Sequence, residues 1–183
     1  MIRHLQELSE LAAHSADTLS AEIERAVQMV RATLKGGGTL FFAGNGGSAA
    51  DAQHMATEYV VRYRKERRAY PAVALSTDSS LLTAAGNDYG FDSIFSRQVE
   101  ALCKPGDLLI LHTTSGKSPN LLRAAASAKA KGVATLALSA KGGGPLAALV
   151  DHCITVPTDR TDRAQEIQLC IEHYMCECAE AED

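Results

Sequence analysis

Two pairs of polar residues have the types and spacing to act together on one ligand. His54 and Glu58 lie four residues apart in one predicted helix, about 40° apart around its axis and one turn along it. Gln165 and His173 lie eight apart in the last predicted helix, about 80° apart around its axis. Carboxylates and imidazoles can exchange protons with a substrate. If the two helices meet, these four side chains can converge on one site.

Simpler interpretations of both helices stay open at this point. A His and a Glu four apart on a helix commonly form a surface ion pair. On the last helix, Cys170, Cys176 and Cys178 flank His173. His173 and Cys176 can share a metal, but Cys178 points elsewhere and the sequence has no Cys-x-x-Cys pair. Packing through Cys170, Tyr174 and Cys178 is the simpler expectation for that helix.

Segment 44–48, GNGGS, connects a predicted strand to the helix that carries His54. Its glycines let the backbone approach a ligand, Ser48 is expected to cap the helix, and the N–H groups of the first turn attract an anion. Ala49 occupies the third glycine position of the dinucleotide pattern Gly-x-Gly-x-x-Gly, which disfavours a dinucleotide. The segment is therefore either a phosphate-binding loop or a tight turn.

Segment 112–119, HTTSGKSP, follows another predicted strand. Ser118 is a natural helix cap, Pro119 suits the first helical position, and three hydroxyls precede them at the same entrance. The run Gly-Lys-Ser resembles the end of a nucleoside triphosphate loop, but the glycine required five positions earlier is Leu111. Lys117 is expected to be a solvated surface lysine. A cradle of hydroxyls suits a single phosphate monoester better than a nucleotide.

Short apolar runs alternate with helical stretches from residue 39 onward. Continuous apolar strands, each followed by a helix, predict a parallel sheet covered on both faces, and hence an open, doubly wound α/β fold. In such sheets ligands bind beyond the carboxyl ends of the strands, where both loops lie. The predicted strands are 39–43, 72–75, 108–112, 133–139 and 153–156, and the predicted helices are 49–61, 79–85, 94–102, 118–131, 144–150 and 162–181.

The first 35 residues have apolar side chains at helical intervals, and the glycines at 36–38 end that helix. An amphipathic helix of this length must cover its apolar stripe, either on the following domain or on a second copy of the chain. We therefore expect an oligomer. The prediction is a single domain over 1–183, with a helical oligomerisation arm at 1–36 and an α/β core at 37–183.

Composition and charge narrow the functional classes. The 183 residues, 46% of them hydrophobic, suit one globular domain, and a net charge of −4 argues against nucleic acid as a partner. The basic segment 62–68, RYRKERR, is expected to be a solvated loop, although Arg62 can reach the pocket of Glu58.

Targeting and redox features indicate a cytoplasmic protein. The sequence has no apolar run long enough for a membrane span, and residues 1–17 lack an apolar signal core. We therefore expect a cytoplasmic location and no membrane partner. The five cysteines are scattered and odd in number, so they are expected to be reduced.

Four segments occur in a characteristic order: AGNGGSAADAQH, LTAAGNDYGFDSIFSRQVEAL, TTSGKSPN, and DRAQE followed by His173. With them the chain resembles, over nearly its whole length, the phosphoheptose isomerases of the sugar-isomerase (SIS) fold. The set is specific because the fold's other families keep the serine-rich loop without His54, Glu58, Gln165 and His173. The resemblance implies isomerisation of sedoheptulose 7-phosphate, the first step of ADP-heptose synthesis, which can serve lipopolysaccharide.

The resemblance also implies a five-stranded flavodoxin-like core, a homotetramer with active sites between subunits, and one Zn²⁺ per subunit. By resemblance, His54, Glu58, Gln165 and His173 bind the zinc, and Glu58 and His173 carry the proton transfers. The residues expected to bind the substrate are Asn45, Gly46, Gly47, Ser48, Glu58, Arg62, Asn87, Asp88, Thr113, Thr114, Ser115, Ser118 and Gln165.

The chain departs from the family pattern at three places. Thr113 replaces a common serine and keeps the hydroxyl, while Thr158 and Asp159 stand where a serine-containing turn is frequent. Gln168 replaces a histidine often found three residues after Gln165. This last change is expected to alter the surroundings of the zinc ligands rather than the ligands themselves.

Other functional classes of the same fold remain as alternatives. A non-catalytic relative of the replication-initiator-associating kind binds a partner protein and lacks the acid and histidine pair, so the presence of Glu58 and His173 favours an enzyme. An arabinose 5-phosphate isomerase usually carries extra regulatory domains, and a sugar-phosphate-sensing regulator needs a DNA-binding domain. Neither addition is expected in this chain.

Overall fold

The computed structural model describes residues 2–181, so Met1 of the predicted arm and residues 182 and 183 of the predicted core lie outside it. Short 3₁₀ segments cover Phe91–Ser93 and Lys141–Ala148. The strands are β1 Leu40–Gly44, β2 Ala72–Ala74, β3 Leu108–His112, β4 Ala134–Ala140 and β5 His152–Val156. The helices are α1 Ile2–Lys35, α2 Gly47–Val60, α3 Ser79–Tyr89, α4 Ser96–Leu102, α5 Pro119–Ala130 and α6 Thr161–Glu180.

The five strands form one parallel sheet in the order β2-β1-β3-β4-β5. This confirms the predicted doubly wound α/β fold, and the order is the flavodoxin-like one. Strand order reverses between β1 and β3, which is where ligands bind in open sheets of this kind. Gly44 at the end of β1 pairs with His112 at the end of β3. The two loops singled out in the sequence are therefore neighbours.

Each strand contributes to two apolar cores because successive side chains point to opposite faces of the sheet. In β3, Leu108 and Ile110 pack with α1, α2 and α6, whereas Leu109 and Leu111 pack with α4 and α5. All four are fully buried. Burial on both faces explains the uninterrupted apolar run in this strand.

Helix α1 is anchored to the core along its second half, partly buried at Leu8 and Leu11, and exposed in its first turn. Val27 and Val30 are buried in the core, whereas Ile2 and Leu5 are 74% and 62% exposed. The backbone carbonyl of His4 accepts a hydrogen bond from a guanidinium nitrogen of α6 at 2.8 Å. A largely apolar groove of about 400 Å³ runs between α1 and α6. The covered half of the helix thus lies on its own domain.

Several predicted helices have different bounds in the structure. The helix predicted at 144–150 is wrong: the segment Lys141–Ala148 is a 3₁₀ segment interrupted by three glycines with positive φ, a conformation that glycine adopts without steric cost. The helix predicted at 94–102 begins only at Ser96. The one predicted at 79–85 continues to Tyr89.

The basic segment 62–68 is not wholly a solvated loop, and for Arg67 that expectation is wrong. Its side chain is 2% exposed and donates hydrogen bonds to the backbone carbonyls of Glu58 at 2.8 Å and Tyr59 at 2.9 Å. It also lies over the ring of Tyr70 and pairs with Glu180 at 3.2 Å. Arg67 therefore ties the end of α2 to the end of α6.

Glu180 completes this connection by accepting hydrogen bonds from three consecutive backbone N–H groups of residues 63–65. Burial alone raises the pKa of the Glu180 carboxyl, but these N–H groups and Arg67 together hold that pKa below its ordinary value. The carboxylate is therefore stabilised in its charged form.

In the described part of the chain, no helix is both long enough and apolar enough to cross a bilayer.

Candidate active site

The first loop turns sharply from β1 into α2. A Cβ atom at Gly44 would lie 2.4 Å from the backbone oxygen of Ser48, so only glycine fits at this position. Gly46 is the N-cap residue, with φ 58°, and the helix begins at Gly47. Ser48 is therefore a buried residue of the first helical turn. The expectation that Ser48 caps the helix is wrong because the N-cap is Gly46 and the helix begins two residues earlier than predicted.

A cavity of about 220 Å³ opens between the two loops and the start of α6. Eight of the residues expected to bind substrate line it, and two residues line it that the sequence analysis did not assign to the site. The eight are Asn45, Gly47, Ser48, Thr113, Thr114, Ser115, Ser118 and Gln165, and the two others are His112 and Thr161. The fold thus brings together most of the expected set, and their roles in binding remain predictions.

The second loop is shaped by its own hydroxyl groups. The side-chain oxygen of Thr113 accepts the backbone N–H of Gly116 at 3.1 Å, and that of Ser115 accepts the N–H of Lys117 at 3.3 Å. Ser118 occupies the N-cap position of α5, with Pro119 after it, but within residues 2–181 its hydroxyl makes no capping hydrogen bond. The Ser118 hydroxyl and the positive end of the helix dipole are therefore free for an anion.

A pair of amides joins the two loops, and sequence reasoning missed one of them. The side chains of Asn45 and Asn120 donate to each other's carbonyl oxygens at 3.0 and 2.8 Å. Asn120 is buried. The signal in the sequence was its position directly after Pro119, at the start of a helix. If a polar side chain is buried at such a position, it needs a hydrogen-bond partner. The pair holds Asn45 at the cavity.

The acid and base candidates meet farther along α2 and α6, the two helices whose first turns line this cavity. Nε2 of His54 lies 3.0 Å from Oε1 of Glu58 and 3.4 Å from Nε2 of His173. The ring of Tyr63 stacks on that of His173, with centroids 5.2 Å apart. The side chains of His54 and Glu58 are 42% and 21% exposed. Three groups that can carry protons are therefore close together and open to a ligand.

The donor types and one distance in this cluster fit a divalent metal ion. Zinc binds histidine nitrogens at about 2.0–2.1 Å in a tetrahedron, so two such nitrogens lie about 3.4 Å apart, which is the separation of the His54 and His173 nitrogens. Within residues 2–181, however, no three His, Cys, Asp or Glu side chains form a ready-made cage. A complete set of four ligands would also need the amide of Gln165.

Gln165 is positioned by the absence of a side chain at Gly47. A Cβ atom at Gly47 would lie 2.5 Å from Nε2 of Gln165. We expect Gly47→Ala to leave the fold intact, since Gly47 has a helical conformation, and to turn Gln165 out of the cavity. The expected result is about a tenfold or larger loss of kcat/KM for the sugar phosphate that the resemblance in sequence implies, because small displacements in a site are costly.

The double variant Gly47→Ala/Gln165→Ala tests this explanation, since it should be no worse than Gln165→Ala alone. Gly86→Ala is the matched control, because a Cβ atom there would come no closer than 3.9 Å to the nearest side chain. Additive losses in the double variant would show that Gly47 acts independently of Gln165.

Arg62, Asn87 and Asp88 are expected at the substrate but do not line the cavity in this structure, and neither do Gly46 and Glu58. Within residues 2–181, the side chain of Arg62 contacts the backbone oxygen of Arg64 at 3.5 Å and the carboxylate of Glu66 at 3.7 Å. Asn87 donates to Asp88 at 2.7 Å, and both are exposed in the last turn of α3. None of the three lines the cavity formed by this one chain.

A buried ion pair that sequence reasoning missed lies beneath the cavity. Nε2 of His112 is 2.5 Å from Oε1 of Glu172, and the two side chains are 1% and 2% exposed. Burial by itself lowers the pKa of His112, but the charge and hydrogen bond of Glu172 outweigh it and hold that pKa above its ordinary value. Gln168, one turn before Glu172, donates to the backbone oxygen of Thr113 at 2.8 Å.

The cysteines of α6 pack only partly as the sequence suggested. Cys170 is exposed and Tyr174 is 47% exposed, so the expectation of packing is wrong for these two. Cys178 is half-buried and packs against the core, as expected. Cys176 is the buried member. Burial raises the pKa of its thiol, and this disfavours the thiolate that a metal requires.

Comparisons with known proteins agree with this architecture. Residues 3–140 match the SIS domain family. The phosphoheptose isomerase of Akkermansia muciniphila is 46% identical over 165 residues, which cover 90% of this chain and 87% of that protein. That of Campylobacter jejuni is 50% identical over 165 residues, with coverage of 90% and 89%. The structure of phosphoheptose isomerase from Neisseria gonorrhoeae superposes with a TM-score of 0.93 at 38% identity, covering 98% and 96% of the two chains.

Proposed function

Because this chain belongs to the SIS domain family, and within it to the phosphoheptose isomerases, we propose that it converts D-sedoheptulose 7-phosphate into D-glycero-D-manno-heptose 7-phosphate. The chain is a sugar isomerase. The proposal adds the substrate, a cytoplasmic location and the place of the reaction as the first step of ADP-heptose synthesis for lipopolysaccharide. One observation carries it: Glu58, His54 and His173 converge on the two helices whose first turns line a cavity rich in hydroxyl groups.

The proposed reaction needs two kinds of proton transfer. A ketose becomes an aldose when a proton leaves the carbon next to the carbonyl, an enediol forms, and a proton returns to the neighbouring carbon. Glu58 is the proposed base for the carbon-bound proton, and His173 is proposed to move the oxygen-bound proton. The distances from His54 to each of them, 3.0 and 3.4 Å, support a shared site.

We further propose that His54, Glu58, Gln165 and His173 bind one Zn²⁺ per subunit. The two ring nitrogens have the spacing of zinc ligands, and Gln165 faces Gly47 at the same cavity. A bound zinc ion would polarise the sugar carbonyl and stabilise the negative charge that develops on its oxygen. Coordination competes with base function for Glu58, so its role is expected to change during turnover.

The proposed assembly is a homotetramer in which a neighbouring subunit completes the site. Asn87 and Asp88, expected to contact sugar hydroxyls, are exposed and remote from this chain's own cavity. The large apolar side chains of Tyr89 and Phe91 next to them are 58% and 63% exposed. Exposed apolar residues of this kind are typical of a contact surface. A contact there would bring Asn87 and Asp88 to another subunit's cavity.

An assay of the purified protein with sedoheptulose 7-phosphate tests the function. The expected result is formation of the aldose phosphate, its loss with a chelator, and its recovery when zinc is added. Conversion of arabinose 5-phosphate in preference to the heptose would favour a different sugar-phosphate isomerase. If no aldose forms even with zinc supplied, the non-catalytic binding-protein alternative replaces the proposal.

A further inference from the structure

Across residues 2–181, the cavity lacks an unpaired, positively charged side chain to balance the negative charge of a phosphorylated substrate. A phosphate monoester carries a charge of about −1.5 to −2 at pH 7. Among the described residues that line the cavity there is no lysine or arginine. His112 lines it, but its proton is shared with the Glu172 carboxylate, so that pair adds no net positive charge. The hydroxyls and helix dipole need a cation close by.

Lys141 lines a separate cavity, together with Thr158 and Asp159, and its side chain reaches a residue of the candidate site. It directly follows β4, the strand next to β3, so it is at the same end of the sheet as the two loops. Its Nζ donates a hydrogen bond to the hydroxyl of Thr161 at 3.2 Å. Thr161 is the first residue of α6 and lines the cavity. The ammonium group is therefore one hydrogen bond away from the cavity wall.

The segment that begins with Lys141 is packed directly against the second loop. The backbone N–H of Leu146 donates to the oxygen of Gly116 at 3.1 Å. A Cβ atom at Gly116 would lie 1.8 Å from the backbone oxygen of Gly143, and one at Gly144 would lie 2.4 Å from that of Ser115. This close backbone contact fixes the position of Lys141 relative to the hydroxyl groups of the loop.

The backbone of Lys141 is in a conformation that favours glycine. Its φ is 52°, and it is the only residue other than glycine with a positive φ in the part of the chain that the structure describes. Such a conformation costs about 1 kcal/mol or more for a residue with a side chain. Glycines occupy the next three positions, also with positive φ. A side chain retained in this strained position, where a glycine would fit without cost, indicates a use for that side chain.

Arg160 and Lys117 are the other cations to consider in this region. Arg160 precedes Thr161, but its guanidinium is held by Glu7 at 2.7 Å and by Asp162 at 2.6 Å. Lys117 belongs to the second loop and, like Lys141, is exposed and absent from the cavity lining. Within residues 2–181 only Lys141 of these two donates a side-chain hydrogen bond to a residue of that lining, Thr161. Lys141 is therefore the better placed of the two lysines.

We propose that Lys141 binds the phosphate group of the substrate, supplying the positive charge that the hydroxyl cradle lacks. This inference rests on the proposed function for the identity of the sugar, but not for the phosphate. Lys141 sets the preference for a phosphorylated over an unphosphorylated sugar and takes no part in the proton transfers. Its effect should therefore fall on KM and leave kcat nearly unchanged.

Kinetics of the purified enzyme with sedoheptulose 7-phosphate test the proposal. We expect Lys141→Met to raise KM about tenfold, with kcat within about threefold of the unmodified protein, since a charge-assisted hydrogen bond to an exposed lysine is lost. Lys141→Arg should retain most of the affinity. Activity toward unphosphorylated sedoheptulose should not change in Lys141→Met.

Three comparisons keep the test decisive. Lys117→Met is the matched control and should leave KM within about twofold. Lys141→Gly removes the amine and the backbone strain together, so it should raise KM as much as Lys141→Met without lowering the melting temperature. Calorimetric titration with inorganic phosphate gives a second readout, in which Lys141→Met should weaken binding about tenfold.

The proposal is overturned if Lys141→Met changes both KM and phosphate affinity by less than twofold, or if Lys117→Met has the larger effect. If the unmodified protein does not isomerise sedoheptulose 7-phosphate, the proposed function fails. The phosphate titration then decides on Lys141 by itself.

Discussion

Replacing Glu58 by Gln is expected to lower kcat by about 10²–10⁴-fold while the protein stays folded. The amide has the size of the carboxylate and can still reach His54, 3.0 Å away, but it cannot accept the proton from the carbon next to the carbonyl. His173→Gln should cause a loss of similar size, because the group that moves the oxygen-bound proton is removed. Turnover of sedoheptulose 7-phosphate measures both effects.

Substrate binding and bound zinc must be measured in the same variants, since both residues are also proposed ligands. Stabilisation of the folded protein by the sugar phosphate should persist, because binding to the native state raises the melting temperature. Exchange of the substrate's carbon-bound proton in deuterated water should be lost in Glu58→Gln. Glu177→Gln, an exposed carboxylate of α6 paired with Arg64 at 3.1 Å, is the matched control. Near-normal turnover by either variant would remove that residue from the chemical step.

Breaking the buried His112–Glu172 pair is expected to destabilise the protein strongly, whereas removing both partners is not. Glu172→Leu or His112→Leu should each lower the free energy of unfolding by about 3 kcal/mol, because the remaining partner is left buried and unpaired. The double variant should lie within about 1 kcal/mol of the unmodified protein. Within residues 2–181, Oε2 of Glu172 already has no hydrogen-bond partner, which adds to the cost of keeping the pair buried.

Chemical denaturation of the four proteins measures the coupling in this cycle. The exposed pair Arg97 and Glu100, 3.2 Å apart, is the control, and its coupling should not exceed about 0.5 kcal/mol. If the two single losses at His112 and Glu172 simply add in the double variant, the two side chains do not stabilise each other.

The same cycle carries a pH dependence with a definite sign. The pKa of His112 is raised above its ordinary value of 6.5 in the folded state, so folding favours the protonated form. Its contribution to stability is therefore fully present below about pH 6.5 and decreases as pH rises through the folded-state pKa. Over that range the unfolding free energy of the unmodified protein should fall relative to that of the double variant, which lacks this titrating group.

The sheet could be predicted from sequence because its central strands are buried on both faces, and each of them therefore appears as a short run of apolar residues. Strand β3 is apolar at four consecutive positions that are all fully buried, and helices with one apolar face separate the strands. The loops at 44–48 and 112–119 could be placed for the same reason, since they follow the carboxyl ends of strands that prove to be neighbours. The segment after Lys141 could not, because its glycines allow several conformations and contact with the second loop selects one.

Pairings between distant side chains needed the tertiary structure. His112 alone is a polar residue at the end of an apolar strand, and Glu172 alone is a charge within an amphipathic helix. Their contact depends on the rotation and height of α6 against the sheet, which the whole core decides. Likewise, the sequence shows Arg67 only as one member of a basic segment. Its contacts with the ends of α2 and α6 are visible only in the tertiary structure.

The amino-acid sequence by itself therefore determined the class of fold, the family and most of the residues around the cavity, because burial patterns and loop chemistry are local properties. The tertiary structure decided which buried polar groups satisfy one another, and that a strained lysine lies beside the cradle. Such contacts join residues far apart in the chain, and their geometry is set by packing that no local pattern records.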